Sequence, residues 1–366
     1  MFEGIYVHVP FCGRKCPYCD FFSVVSSPLG AGEYLGLLVR ELRLYADRYR
    51  FKPKTVYFGG GTPSLLKPEF YEKLLSEFAK LVDLSRVEEI TIEVNPESYS
   101  LKDFKKLREV GFNRLSIGVQ SFSDRNLRLL GRTHSAERAK RAVLEAAEAG
   151  FENLSVDLIW GLPDQGPDDL ERELEVLDRL PVVHASAYLL TVYEETPLFR
   201  LREEGKFRPP DQEEVEKLYF TLLRGLRELG FERYEVSNFA KEKRYRSLHN
   251  LLYWRSRPWL GLGASAWSFD GRRRWANPRD LRLYAERLRR NEPPAAQVFD
   301  LSEEELFKEK LLMALRTTEG VPRSWIEGRL PPEVVKEFFV PAKGGKNLAF
   351  NDRGFLVSNY LLSELI

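Results

Sequence analysis

From residue 3 to about residue 190, short apolar runs alternate with amphipathic segments, each pair taking roughly 25 to 40 residues, which is the rhythm of βα units. The segment from Gly4 to Val9 alternates like a strand, and Glu33 to Arg48 carries Leu35, Leu38, Val39, Leu42 and Tyr45 at helical spacing. Further strands are predicted from Thr55 to Phe58, Glu89 to Val94, Arg114 to Val119, Asn153 to Trp160 and His184 to Leu190. Helices fill the gaps, from Lys67 to Val82, Leu101 to Glu109, Ala136 to Ala149 and Pro167 to Leu180. Six parallel strands with right-handed crossovers predict an α/β fold, an open or partial barrel with its ligand-bearing edge at the C-terminal strand ends.

Beyond residue 205 the pattern loosens into a long helix, about Gln212 to Leu229, and an aromatic, basic, glycine-rich stretch to about residue 290. After Asn291-Glu292-Pro293-Pro294 come helices at Glu303 to Leu315, Ser324 to Glu327 and Pro332 to Phe338. Two short strands follow, Leu348 to Phe350 and Phe355 to Val357, separated by the turn-type residues Asn351-Asp352-Arg353-Gly354. Three regions result: 1–205 as the barrel, 206–290 as its extension, and 291–366 as a small α+β, winged-helix-like unit.

The chain is 366 residues long, 43% hydrophobic and 13% aromatic, enough to build a large core, which excludes disorder and small disulfide scaffolds. Its 56 Lys+Arg against 55 Asp+Glu exclude a global nucleic-acid binder. The three cysteines, Cys12, Cys16 and Cys19, crowd into eight residues; an odd, clustered set reads as a metal or cluster site in a reducing compartment, here taken as the cytoplasm. No leader-like segment precedes Cys12, and no run reaches the roughly 18 apolar residues of a spanning helix.

Cys-x3-Cys-x2-Cys just after the first predicted strand lies on a loop at that strand's C-terminal end. A structural zinc ion with His8 as fourth ligand is the plain reading, but it lacks the usual second pair of ligands. An iron–sulfur cubane suits three soft thiolates in a tight loop better, and it leaves one iron for an outside ligand.

Cys12-Gly13-Arg14-Lys15-Cys16-Pro17-Tyr18-Cys19 resembles the radical S-adenosylmethionine (SAM) signature. The resemblance implies a partial (βα)6 barrel of the radical SAM type and a 4Fe-4S cluster whose unique iron is chelated by SAM. In that superfamily the reduced cluster cleaves SAM to a 5′-deoxyadenosyl radical. Gly59-Gly60-Gly61-Thr62-Pro63 follows the second strand, Glu93 and Asn95 end the third, Gln120 ends the fourth, Arg132 sits in Gly131-Arg132-Thr133-His134, and Asp157 is in the fifth. These rim positions are where such barrels build sites.

The whole chain is similar to the branch containing oxygen-independent coproporphyrinogen dehydrogenase and its HemW-type haem-chaperone relatives. By that resemblance Tyr6, Tyr18, Gly60, Gly61, Thr62, Glu93, Gln120, Arg132 and Asp157 contact SAM, with Thr191 and Ala266 as weaker adenosyl contacts. Two departures from the dehydrogenase favour the chaperone: Phe21 stands where a fourth cysteine is expected, and the first cysteine is already residue 12. His249-Asn250-Leu251-Leu252-Tyr253-Trp254 matches the HNxxYW motif of the haem chaperones, implying haem bound at His249, Tyr253 and Trp254. Without the resemblance, the same residues read as a satisfied core histidine among packed aromatics. Residues 241–274 carry nine Lys or Arg against two acids, either a solvated face or a surface for propionates, an acidic partner or anionic lipid. The expectation is a haem-delivering protein of porphyrin metabolism that serves acceptor proteins, respiratory ones among them; peripheral membrane contact and a homodimer are left open. The rival is a radical SAM oxygen-independent coproporphyrinogen III dehydrogenase or another tetrapyrrole-modifying radical enzyme.

Overall fold

A computed structural model describes residues 1–365. The first half alternates as expected: β1 (Phe2–Val9), α1 (Ala31–Ala46), β2 (Phe51–Gly60), α2 (Pro68–Ala79), β3 (Glu89–Val94), α3 (Leu101–Val110), β4 (Arg114–Gln120), α4 (Asp124–Leu129), α5 (Ala136–Glu148), β5 (Asn153–Trp160), α6 (Pro167–Asp178) and β6 (His184–Leu189). Next come α7 (Pro197–Glu203), α8 (Gln212–Glu228), β7 (Glu232–Arg233), β8 (Asn238–Ala240), α9 (Leu248–Trp254), β9 (Trp259–Leu262), β10 (Trp267–Phe269), β11 (Arg273–Ala276), α10 (Leu281–Arg289) and β12 (Gln297–Asp300). The C-terminal unit is α11 (Glu303–Leu315), β13 (Val321–Pro322), α12 (Pro332–Phe338), β14 (Phe339–Pro341), β15 (Asn347–Phe350), α13 (Asp352–Leu356) and α14 (Ser358–Ser363).

One open sheet of twelve strands runs β12-β11-β10-β9-β1-β2-β3-β4-β5-β6-β8-β7. Its parallel part has seven strands rather than six, because β9 pairs parallel to β1 through Gly4↔Trp259 to Val7↔Leu262. Strand periodicity sorts the residues by face. Ile5, Val7, Val56, Phe58, Ile92, Leu115, Ile117, Leu154, Val156 and Ala185 are buried against the helices in one apolar core. The alternate positions, among them Tyr6, His8, Tyr57, Glu93, Ser116 and Asp157, turn to the concave face. That division leaves polar groups gathered where a ligand can reach them.

The C-terminal unit has its own core around Leu311, Val321, Ile326, Phe339, Phe350 and Phe355, and a three-stranded sheet β13-β15-β14. Two expectations fail there. Phe355 to Val357 is not a strand: the Asn351 side chain accepts from Gly354 N at 2.8 Å and caps α13, so the supposed turn is a helix start. The hairpin is instead β14 with β15. The helix expected at Ser324 to Glu327 is a single 3₁₀ turn, Arg323–Trp325. The β12 strand, although past residue 290, still pairs with β11. No helix among the described residues is long and apolar enough to cross a membrane.

Candidate functional site

At the C-terminal ends of the parallel strands lies a cavity of about 410 Å³, within the range of small-molecule sites. Cys12, Cys16 and Cys19 all line it, carried by a loop whose neck is closed by backbone hydrogen bonds, Cys12 N to Val24 O (3.0 Å) and Val24 N to Pro10 O (2.7 Å). The β2 end clasps this neck, with Gly61 N donating to Val9 O at 2.8 Å and Thr62 N to Phe11 O at 2.7 Å. A Cβ on Gly61 would lie 2.7 Å from Phe11 O, and Gly60 has φ +114° against the His8 ring, so both positions require glycine. The Thr62 hydroxyl lies 3.4 Å from Cys12 Sγ.

Arg132 reaches the same loop. Its Nη1 donates to Cys16 Sγ at 3.7 Å and its Nη2 to Asn95 Oδ1 at 2.8 Å and Gly118 O at 3.2 Å. Burial, reinforced by its cysteine neighbours, pushes the Cys19 thiol up; a guanidinium beside the loop offsets the charge of thiolate ligands. Among the described residues no three His, Cys, Asp or Glu side chains close on one ion. A cubane places each thiolate on a different iron and needs no such convergence. His8 is no zinc ligand: it is buried, Nε2 is bonded to Phe22 O at 2.9 Å and Nδ1 to Tyr6 Oη at 3.1 Å.

Two carboxylates face the cavity from the strands. Glu93 accepts from Tyr57 Oη at 2.8 Å and from Gly60 N at 3.2 Å; burial, then the nearby Asp157, pushes its carboxyl up to about 7. Asp157, also raised by burial, accepts from Ser116 Oγ at 3.0 Å. Paired acids at this cost suit a cationic ligand, and SAM carries both a sulfonium and an ammonium. The free thiols, the glycine cradle and these acids therefore fit a SAM-chelated cluster.

Tyr18, Gly60, Gly61, Thr62, Glu93, Gln120, Arg132, Asp157 and Thr191 all line the cavity. Tyr6 and Ala266 do not. Tyr6 stacks beneath it on the Tyr57 and His249 rings, at centroid distances of 6.2 and 6.3 Å, and Ala266 is buried in the turn between β9 and β10. Ser116, Tyr57 and Tyr188 belong to the site or its support but were not singled out; their place in the inward period-two rows was the available signal.

The HNxxYW segment forms α9, which plugs the opposite, N-terminal end of the barrel. Glu89 caps it, accepting from Leu248 N at 2.9 Å and His249 N at 3.1 Å. His249 is 1% exposed; its Nδ1 is bonded to Thr55 Oγ1 and its Nε2 to Tyr253 Oη, each at 2.7 Å, and burial lowers its pKa to about 3. The motif histidine is thus a satisfied core residue here, with no nitrogen turned to solvent. Its ring stacks on Tyr57 at 5.0 Å, one residue from Glu93. Tyr253 is half-buried against Trp259. Trp254 faces away into a second cavity of about 320 Å³, shared with Arg255, Lys310 and Trp325. The basic stretch is neutralised in part: Arg244, Arg255, Arg257, Arg273 and Arg274 pair with Glu242, Glu319, Glu3, Asp270 and Glu309.

Residues 6–177 match the model of the radical SAM superfamily. The chain is 34% identical over 325 residues to the heme chaperone HemW of Bacillus subtilis strain 168, covering 88% of this chain and 85% of the relative. It is 35% identical over 369 residues to the heme chaperone HemW of Mycobacterium tuberculosis strain H37Rv, covering 99% and 94%. The solved structure of coproporphyrinogen III oxidase HemN from Escherichia coli, a radical SAM enzyme, superposes with a TM-score of 0.83 over 100% of this chain and 90% of HemN; at 22% identity this likeness carries the fold alone. With identity of the HemW order running through most of both chains, the protein belongs to the radical SAM superfamily and, within it, to the HemW family.

Proposed function

We propose that the protein is a haem chaperone of the cytoplasm that binds haem, passes it to acceptor proteins, and carries a 4Fe-4S cluster held by Cys12, Cys16, Cys19 and SAM. The observation that carries the cofactor half is the meeting of three free thiols, a glycine cradle and two raised-pKa carboxylates around one cavity. The haem half is supported by the relatives' names and by the HNxxYW segment. When bound, such a cluster supplies an electron for cleavage of the SAM sulfonium. The chain's own residues have simpler tasks: the thiols hold iron, Gly60 and Gly61 let backbone approach the ligand, Glu93 and Asp157 face its positive groups, and Arg132 steadies the Cys16 side.

For His249 to ligate haem, one ring nitrogen must be freed: α9 leaving the barrel floor breaks the Nδ1 bond to Thr55, while the bond to Tyr253 lies within α9 and moves with it. Haem delivery to respiratory acceptors, membrane contact through the unpaired part of residues 241–274, and a homodimer belong to the same proposal. The test is anaerobic reconstitution to about four iron per chain, then haem titration and transfer to an apo-haem protein, with SAM cleavage followed in the same tube. A Soret band and transfer are expected. Absence of haem binding, or conversion of coproporphyrinogen with consumption of SAM, overturns the reading.

A further inference from the structure

β4 does not end as an ordinary strand. Gln120 has φ +64°, and across it Ser121 N donates to Val119 O at 2.8 Å. This is a three-residue turn of the rare positive-φ kind, which a non-glycine residue adopts only under constraint. The pairing with β5 slips at the same place, between Ile117 and Gln120. The turn brings Gln120 onto the cavity wall and folds its amide back over Gly118, where a Cβ would lie 3.0 Å from Gln120 Nε2, 3.5 Å from Asn95 Oδ1 and 3.7 Å from Arg132 Nη2. Gln120 thereby joins the Asn95–Arg132–Cys16 group at the cluster loop.

The constraint comes from a different element. Glu173, buried on α6, accepts from the Ser121 hydroxyl and from Phe122 N at 2.5 Å. Ser121 Oγ in turn accepts from Ser123 N at 3.0 Å and Asn126 Nδ2 at 3.2 Å, so the turn just past Gln120 is tied to both α4 and α6. Burial raises the Glu173 carboxyl, and its hydrogen bonds to the turn oppose that rise. An acid buried in such a place is costly, and its hydrogen bonds to the turn offset that cost only while the turn keeps this geometry.

We propose that Glu173 is a positioning residue of the cofactor site: by clamping Ser121 and Phe122 it holds the strained turn that aims Gln120 at SAM. This rests on the reading of Gln120 as a SAM contact. The test is a double-mutant cycle on cluster-loaded protein, with SAM affinity measured by calorimetry for the wild type, Glu173→Gln, Gln120→Ala and the double variant. Glu173→Gln is expected to weaken SAM about tenfold in the wild-type background and to change it less than about twofold in the Gln120→Ala background. An equal loss in both backgrounds, or no loss in the first, overturns the positioning role while leaving Gln120 as a contact. Wild-type affinity in Gln120→Ala overturns the contact and the proposal together. Should Glu173→Gln fail to fold, Ser121→Ala removes one of the two clamped groups and runs through the same cycle with the same expected outcomes.

Discussion

Glu93 answers to two demands that pull its proton in opposite directions. Burial and Asp157 hold its carboxyl at about 7 instead of 4.5, whereas a cationic ligand favours the ionised form. The unfolded chain ionises this group as pH climbs past about 4.5 and the folded chain only near 7, so stability is lost between those values and the loss is constant above them. Glu93→Gln should therefore stabilise the cofactor-free protein by about 2 kcal/mol at pH 8, part of the shift being discounted because the group opens on the cavity, and by nothing at pH 4. Urea midpoints across that range check this; a gain that does not grow with pH contradicts it. SAM affinity should fall in the same variant. His249 has the opposite sign: with a folded pKa of about 3 against 6.5, it subtracts stability as pH falls below about 6.5.

At the scale of the element, α9 is a latch. Thr55→Val removes the partner of His249 Nδ1 from the floor of the barrel without touching the motif. An unpaired buried nitrogen costs roughly 1–3 kcal/mol, so the docked state of α9 should weaken, the melting temperature should fall, and apparent haem affinity should rise about tenfold if His249 is the ligand. A lower melting temperature with unchanged haem affinity would remove His249 from the haem site. Elements differ in how openly the sequence declares them. β1 to β6 were legible because one face packs under helices and the other lines the site, which writes a period of two into each segment. β9 was not, since Trp259 to Leu262 includes a glycine, leads into Gly263 and becomes a strand only by pairing with β1. The α13 start was misread because Asn serves equally as turn residue and helix cap. The cysteines and rim residues were legible by motif, but the burial of His249 depends on Thr55, 194 residues away, which no local pattern records.

For the whole molecule, the question is how the C-terminal unit stays on the barrel. Arg233 of β7, its side chain 5% exposed, sits among the Tyr219, Phe239 and Phe355 rings, with ring centroids 4.7–5.3 Å from its guanidinium carbon. Asp352 answers it at 3.6 Å and also binds Arg227 at 2.7 Å. Asp352→Ala would leave the buried cation with the rings alone, and because Asp352 is itself partly exposed and 3.6 Å away the cost is about 1 kcal/mol. We expect a lower urea midpoint and faster proteolysis near residue 301, where the two units join; an unchanged cleavage rate would show that the clamp does not hold them together. The thiol-bearing loop is built in the contrary manner. Its neck is tied by Pro10, Cys12 and Val24 and clasped by Gly61 and Thr62, all with main-chain bonds. The loop is thereby a handle fixed at both ends to the sheet, so residues 13–23 can be exchanged as a block for those of a relative without changing the register of β1 on β2.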